Sequence, residues 1–240
     1  MNNLILVRHG QSLWNREKRF TGWADIDLTE KGKIEAKDAG NLIKKLNIDF
    51  DLFFTSVQKR AVNTLNIIIK ILGKENLKIE KAWQLNERHY GNLTGLNKDE
   101  MTKKHGEKQV HIWRRSFDIS PPPMDLSNPF NIMKSKNYYN IPFDKIPDCE
   151  SLKDTFERVV PFYEKNIEPS VLSKKNILIV AHGNSLRALC KKIFNISESK
   201  IIDLEIPTGN PLLISFDDNL KIKNFKYLDI KRNKKIFFNV

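Results

Sequence analysis

Two histidines in this chain stand in copied surroundings. Leu4-Ile5-Leu6-Val7 runs into Arg8-His9-Gly10, and Ile177-Leu178-Ile179-Val180-Ala181 runs into His182-Gly183-Asn184-Ser185. Between them lies Asn86-Glu87-Arg88-His89-Tyr90-Gly91, a stretch dense in titratable groups, and arginines recur at Arg8, Arg60, Arg114 and Arg115. Two imidazoles, several guanidinium groups and one carboxyl, without metal-ligand spacing, suit phosphoryl transfer through a phosphohistidine. An imidazole nitrogen attacks phosphorus readily and leaves readily afterwards. Arginines neutralise the equatorial oxygens of the transferring group, and the second imidazole adds a hydrogen bond. The carboxyl protonates the departing alkoxide and later takes that proton back, a task that calls for a raised pKa in a shielded site. A rival reading takes His9, His182 and Glu87 as two-histidine-one-carboxylate metal ligands; so many arginines would repel a cation. Each histidine read singly is equally a strand-end residue with a satisfied hydrogen bond, but two unrelated core histidines would rarely share one context.

The elements around these residues must bring them together. Both apolar runs fit strands buried on two faces, as in a parallel sheet. Open α/β sheets place ligand chemistry at the carboxyl ends of their strands, so two neighbouring strands would aim both imidazoles into one crevice. Gln11 to Gly22 reads as a loop or short helix whose Ser12, Asn15, Arg16, Arg19 and Thr21 offer donors to anionic oxygens. Thr29 caps a helix with Ala36, Ala39, Ile43 and Leu46 on one face. Phe50–Phe54 reads as a strand ending at Thr55-Ser56, and the helix after it carries Arg60 in its first turn, where a helix N-terminus attracts anions. Leu77–Leu85 reads as a further strand and its exit. Lys98, Arg114 and Arg115 add positive charge, and Trp113 beside the pair is either a platform or core. Pro121-Pro122-Pro123 cannot enter a helix or a central strand, and residues 118–150 read as a long irregular insertion. Glu150, just before a helix that begins near Ser151, either faces the site or complements the helix dipole. Leu212–Phe216 and Lys223–Leu228 read as a terminal hairpin of edge strands.

Composition bounds the rest. The 240 residues carry 41 Lys+Arg against 29 Asp+Glu, a formal net charge of +12. The basic balance admits an anionic small substrate or nucleic acid, or simply a lysine-rich surface. The charge is spread along the chain without a basic run interleaved with aromatics, which speaks against nucleic acid. No apolar run approaches the ~20 residues needed to span a bilayer, and no signal-peptide pattern opens the sequence, so neither a membrane nor secretion is expected. Cys149 and Cys190 have no metal spacing and are too few for a disulfide framework; free thiols in a reducing cytoplasm are expected.

The motifs together resemble the histidine phosphatase superfamily and, within it, the 2,3-bisphosphoglycerate-dependent phosphoglycerate mutases. Arg8-His9-Gly10 with the distant His182 marks the superfamily. Glu87-Arg88-His89-Tyr90-Gly91 with the Arg114-Arg115 pair is much more specific to the mutases. Trp14-Asn15, Arg19–Trp23, Lys59-Arg60-Ala61, Gly95–Lys98, Ala181–Leu189 and Ile206–Gly209 extend the likeness from Leu4 to about Leu228. The resemblance implies an α/β fold, a mixed and mostly parallel sheet flanked by helices on both faces in three layers, as one domain over 1–240 with a short tail from about 229. It implies interconversion of 3-phosphoglycerate and 2-phosphoglycerate in glycolysis and gluconeogenesis, with His9 carrying a phosphoryl group primed by 2,3-bisphosphoglycerate and no metal. His182 would stabilise the transferring group and Glu87 would exchange the proton, with Arg8 and Arg60 part of the catalytic set. Arg8, Asn15, Thr21, Gly22, Arg60, Tyr90, Lys98, Arg114, Arg115, Gly183 and Asn184 would hold phosphate or carboxylate, and Gly10, Gln11, Ser12, Arg88 and His89 are counted with them. A cytoplasmic homodimer or homotetramer is implied. Two departures stand out. Gln11 replaces a glutamate usual after Arg-His-Gly. Tyr227-Leu228-Asp229 lacks the glycine that usually precedes a longer, Gly/Ala/Lys-rich tail, so a looser cover over the site and more hydrolysis of the phosphoenzyme are expected.

Overall fold

The computed structural model describes residues 2–131, 141–217, 219 and 221–232. The insertion's Tyr138 and Tyr139, and the tail from 233 onward, therefore lie outside the described residues. The first apolar run forms β1 (Asn2–Arg8), followed by the one-turn helix α1 (Leu13–Arg16) and by α2 (Glu30–Lys44). Next come β2 (Leu52–Thr55), α3 (Lys59–Leu72) and β3 (Ile79–Lys81), then α4 (Lys98–His105) and α5 (Glu107–Arg115). After the insertion, α6 (Leu152–Phe162) runs through a π-helical stretch, Tyr163–Ile167, into α7 (Glu168–Leu172). The chain then forms β4 (Ile177–Ala181), α8 (Gly183–Ile193), α9 (Glu198–Ile201), β5 (Leu212–Phe216) and β6 (Ile222–Tyr227).

The strands form one sheet in the order β3-β2-β4-β1-β5-β6. The pairs β3–β2, β2–β4 and β4–β1 are parallel; β1–β5 and β5–β6 are antiparallel. The sheet is thus mixed and mostly parallel, and helices cover both faces. Side chains alternate along a strand, and β1 divides accordingly. Leu4 and Leu6 face a core built with Leu152 and Val159 of α6 and Leu186 and Leu189 of α8. Ile5 and Val7 face Ala39 and Ile43 of α2 and Leu65 and Ile68 of α3. Burial on both faces is what the unbroken apolar runs require. One expectation needs correction: β5 is no edge strand but lies between β1 and β6. Its burial comes from taking the place beside β1 opposite β4. β3 is also shorter than the Leu77–Leu85 run, which turns into a 3₁₀ helix at Trp83–Leu85. No helix among the described residues is long and apolar enough to cross a membrane.

Candidate active site

The two histidines meet because their strands are neighbours in register. Arg8 of β1 pairs with Ala181 of β4, and the His9 amide donates to the Ala181 carbonyl at 3.0 Å. The two imidazoles lie edge to face with centroids 5.0 Å apart. Gly10 lets the chain leave β1 against α2: a Cβ there would meet the Gly32 carbonyl oxygen at 2.1 Å. Its own amide donates to Thr64 Oγ1. His9 Nδ1 lies 2.7 Å from the Gly10 carbonyl oxygen. A carbonyl only accepts, so Nδ1 carries the proton and Nε2 keeps its lone pair. Burial, then the charges of Arg60 and Arg8, hold the His9 pKa well below the usual 6.5. The ring is neutral at pH 7 and nucleophilic at Nε2. His182 Nε2 shares a 2.7 Å hydrogen bond with the Ser56 hydroxyl. Burial and the charges of Arg60 and Arg8 hold its pKa down as well.

The arginines are held from behind. Arg60 is buried in the first turn of α3 and donates through Nη1 to the Ala24 carbonyl and through Nη2 to the Gly22 carbonyl. Gly22 adopts φ +51°, a conformation that favours glycine. Arg8 Nη1 donates to the Ile206 carbonyl, while its buried Nε has no hydrogen-bond partner among the described residues. Arg8, Glu87, Tyr90, Lys98, Arg114, Arg115, Gly183 and Asn184 line a pocket, together with Arg187, Glu205 and Ile206. Arg8 adjoins His9 and Gly183 adjoins His182 in the chain, so the pocket flanks the imidazole pair. It also receives the N-terminus of α8, whose Asn184 amide donates to Glu87 Oε1 at 3.1 Å.

Glu87 departs from expectation. Burial pushes its pKa up. The Arg88 amide at 2.8 Å, the fields of Arg8 and Arg60, and the Asn184 contact outweigh burial and hold the carboxyl below its ordinary 4.5. The raised pKa expected of a proton donor is therefore absent from the ligand-free pocket. An anion seated on Arg8 and Arg60 would offset the two charges that lower it, shifting the balance toward burial against the Arg88 and Asn184 amides alone.

Several expected binding residues make contacts within the frame. Ser12 caps α1 and accepts from the Asn15 amide, while Asn15 Oδ1 accepts from the Ser12 amide. The Gln11 side chain accepts from Thr29 Oγ1 and lines a separate groove with Leu13, Arg16 and Asp27. Thr21 is largely buried. Arg88 is buried, donates to the Trp113 and Arg114 carbonyls at the end of α5, and stacks on Tyr90 at 4.7 Å. His89 turns away from the pocket: its ring meets Trp23 at 5.8 Å and accepts from the Gly91 amide. Burial lowers its pKa to about 4. Trp113 packs partly buried against the cluster of Phe20, Leu93, Met101 and Val110, so it belongs to a small core. Glu150 neither faces the pocket nor merely complements a dipole; it is buried, ion-paired with Arg158 and bonded to the His89 amide. Arg187 was missed as a pocket residue, although it lies within the Ala181–Leu189 motif. It donates to Asn184 Oδ1 and the Ile201 carbonyl, and burial with the charges of Arg88 and Arg115 lowers its pKa to about 9. Glu205 was missed too; it approaches Arg115 at 3.7 Å. Among the described residues no group of three or more His, Cys, Asp or Glu is placed to hold a metal ion.

A neutral imidazole with a free Nε2, a second imidazole, a buried carboxylate and a cationic pocket can accept a phosphoryl group from an anionic donor and manage the leaving group's proton. The chain is similar to known proteins over nearly its whole length. The sequence profile of the histidine phosphatase superfamily (branch 1) matches residues 4–130 and 133–224. A Pelagibacter ubique protein named 2,3-bisphosphoglycerate-dependent phosphoglycerate mutase is 56% identical over 234 residues, 98% of each chain. A Hyphomonas neptunium protein of the same name is 51% identical over 232 residues, 97% of each chain. Among solved structures, mycobacterial glucosyl-3-phosphoglycerate phosphatase in complex with VO3 aligns with a TM-score of 0.69, covering 96% of this chain and 98% of that one at 20% identity. At that identity the likeness speaks for the fold.

Proposed function

The chain belongs to branch 1 of the histidine phosphatase superfamily, and from that membership and its near full-length likeness to named mutases we infer that it interconverts 3-phosphoglycerate and 2-phosphoglycerate. The observation that carries this reading is the 5.0 Å pairing of His9 with His182 beside a pocket of Arg8, Lys98, Arg114 and Arg115. A pocket with that many cations, one of them with a buried unpartnered Nε, fits a polyanion such as 2,3-bisphosphoglycerate, which supplies the priming phosphoryl group when bound. His9 Nε2 forms the bond to phosphorus as the phosphorus–oxygen bond to the carbon skeleton breaks. Glu87 gives its proton to the departing alkoxide oxygen. In the return transfer it removes the proton from the attacking hydroxyl, and Nε2 regains its lone pair. Arg8, Arg60 and His182 stabilise the charge on the transferring oxygens, and the amide end of α8 adds donors. Arg114, Arg115, Lys98 and Tyr90 hold the carboxylate and the second phosphate. Gly22, Arg88 and Ser12 act through the residues they hold. We propose in addition a cytoplasmic homodimer or homotetramer; light scattering measures the assembly.

A coupled mutase assay on the wild type and His9→Ala, with and without 2,3-bisphosphoglycerate, tests the reading. Activity that depends on His9 and on priming is expected. Release of inorganic phosphate from the phosphoenzyme in a single turnover with 3-phosphoglycerate, in place of transfer, would assign a phosphatase instead.

A further inference from the structure

Glu87 sits in a segment that neither a helix nor a strand supports. Residues 86–90 lie between the 3₁₀ turns Trp83–Leu85 and Gly91–Leu93. Their buried backbone groups need partners from elsewhere, and one ion pair supplies most of them. Arg158, on α6, is ion-paired with the buried Glu150, their side chains 9% and 3% exposed. Its Nε and Nη2 donate to the two carboxylate oxygens of Glu150 at 2.6 and 2.9 Å. The remaining N–H groups go to three successive anchor points of the segment: Nη1 to the Gln84 carbonyl at 2.6 Å and the Asn86 carbonyl at 3.1 Å, and Nη2 to the Glu87 carbonyl at 3.0 Å. Glu150 completes the grip. Its Oε2 accepts from the His89 amide at 2.7 Å and its own amide donates to the His89 carbonyl at 2.9 Å. On the other side the Glu87 amide donates to Gln58 Oε1 at 2.9 Å. Trp23 lies 5.6 Å from the Arg158 guanidinium carbon and 5.8 Å from the His89 ring, closing the back of the segment.

We propose that Arg158 and Glu150 are positioning residues for the proton-transfer step, clamping the 84–89 backbone so that the Glu87 carboxylate faces the leaving oxygen. The proposal rests on the phosphoryl-transfer reading above and adds two residues that do not line the pocket. Only a guanidinium can do this work: five donors in a planar fork serve one carboxylate and three carbonyls at once, and an ammonium has three. The grip bears on Glu87 more than on anion binding, because every hydrogen bond of the Arg158 guanidinium among the described residues goes to Glu150 or to the 84–87 backbone. A displacement of about 1 Å at a catalytic group costs on the order of 100-fold in rate.

The leaving group supplies the test. Breaking a carbon–oxygen–phosphate ester requires a proton on the alkoxide, whereas p-nitrophenolate departs without one. In single-turnover phosphorylation of His9, Arg158→Lys should slow transfer from 2,3-bisphosphoglycerate at least ~10-fold at saturation, with half-saturation changed by no more than ~3-fold. Transfer from p-nitrophenyl phosphate should slow less than ~3-fold, and calorimetric affinity for vanadate should hold. Glu87→Gln should show the same selective pattern. Removing one member of a buried pair strands the other charge, so the double variant Glu150→Gln/Arg158→Met, which removes both charges, repeats the measurement in a chain checked for folding by its thermal transition. Equal slowing with both donors, or no slowing with either, in the folded variants would overturn the proposal. Failure of the wild type to form phosphohistidine would overturn the phosphoryl-transfer reading beneath it, a result the variants cannot mimic.

Discussion

At the scale of single residues, the site depends on proton placement. The Gly10 carbonyl fixes the His9 proton at Nδ1, and burial with Arg60 and Arg8 keeps the ring neutral. The rate of His9 phosphorylation should therefore stay level as the pH falls through 6.5, where an unperturbed imidazole would lose its nucleophile. Rapid quench across pH 5.5 to 8 measures this, and an acid limb centred near 6.5 would contradict it. The same shifts bear on stability. His9, His89 and His182 each bind a proton less readily in the folded protein than in the unfolded chain. The unfolded chain then holds more protons below pH 6.5, so stability is full above that value and declines beneath it. The slope is about 1.4 kcal/mol per pH unit for each histidine that remains neutral. Denaturant titrations at pH 7.5, 6 and 5 should show the decline. Glu87 works in the same direction and lower down: its depressed pKa contributes stability above 4.5 that is lost in more acid solution. In carbon-13 titrations its carboxyl should titrate below 4.5 in the free protein and higher once vanadate occupies the pocket.

At the scale of elements, the turn after β1 admits no side chain. A Cβ on Gly10 meets the Gly32 carbonyl oxygen at 2.1 Å, and one on Gly32 meets the Gln11 carbonyl oxygen at the same distance. Either glycine-to-alanine change must push α2 from the strand end. A loss of about 1–3 kcal/mol is expected from such overpacking, with a larger loss of activity for Gly10→Ala because His9 moves with it; urea unfolding and a mutase assay compare the two. The repeated unit of strand, histidine and glycine was legible in the sequence because an unbroken apolar run can only be a doubly buried strand, and two such strands share a sheet. The interior position of β5 was not legible: Leu212–Phe216 has the pattern of any hairpin strand, and only the sheet order reveals its neighbour. The Glu150–Arg158 clamp was hidden for a different reason. A lone arginine on an amphipathic helix reads as solvent-facing, and nothing local announces a partner eight residues earlier and a loop seventy residues away. Arg88, His89, Gln11 and Ser12 stand in the motifs but do not line the Arg8–Lys98 pocket, so motif membership alone could not separate residues that face it from those set behind it.

At the scale of the molecule, a +12 chain gathers Arg8, Lys98, Arg114, Arg115 and Arg187 at one opening against Glu87 and Glu205. Such a field draws anions inward and weakens with ionic strength. Raising KCl from about 20 to about 200 mM should lift KM for 3-phosphoglycerate roughly 3- to 10-fold with little change in kcat. A KM indifferent to salt would show that contact hydrogen bonds, and not the wider field, govern capture. The strand order has a consequence in time as well. β1 is made long before its neighbours β4 and β5, which come from the last third of these 240 residues. At the usual ~5–20 residues per second of translation, the ribosome holds β1 without sheet partners for roughly 10–40 s. A nascent chain arrested at residue 176 should stay open to protease throughout that interval, leaving its first apolar segment for chaperones to shield until β4 emerges.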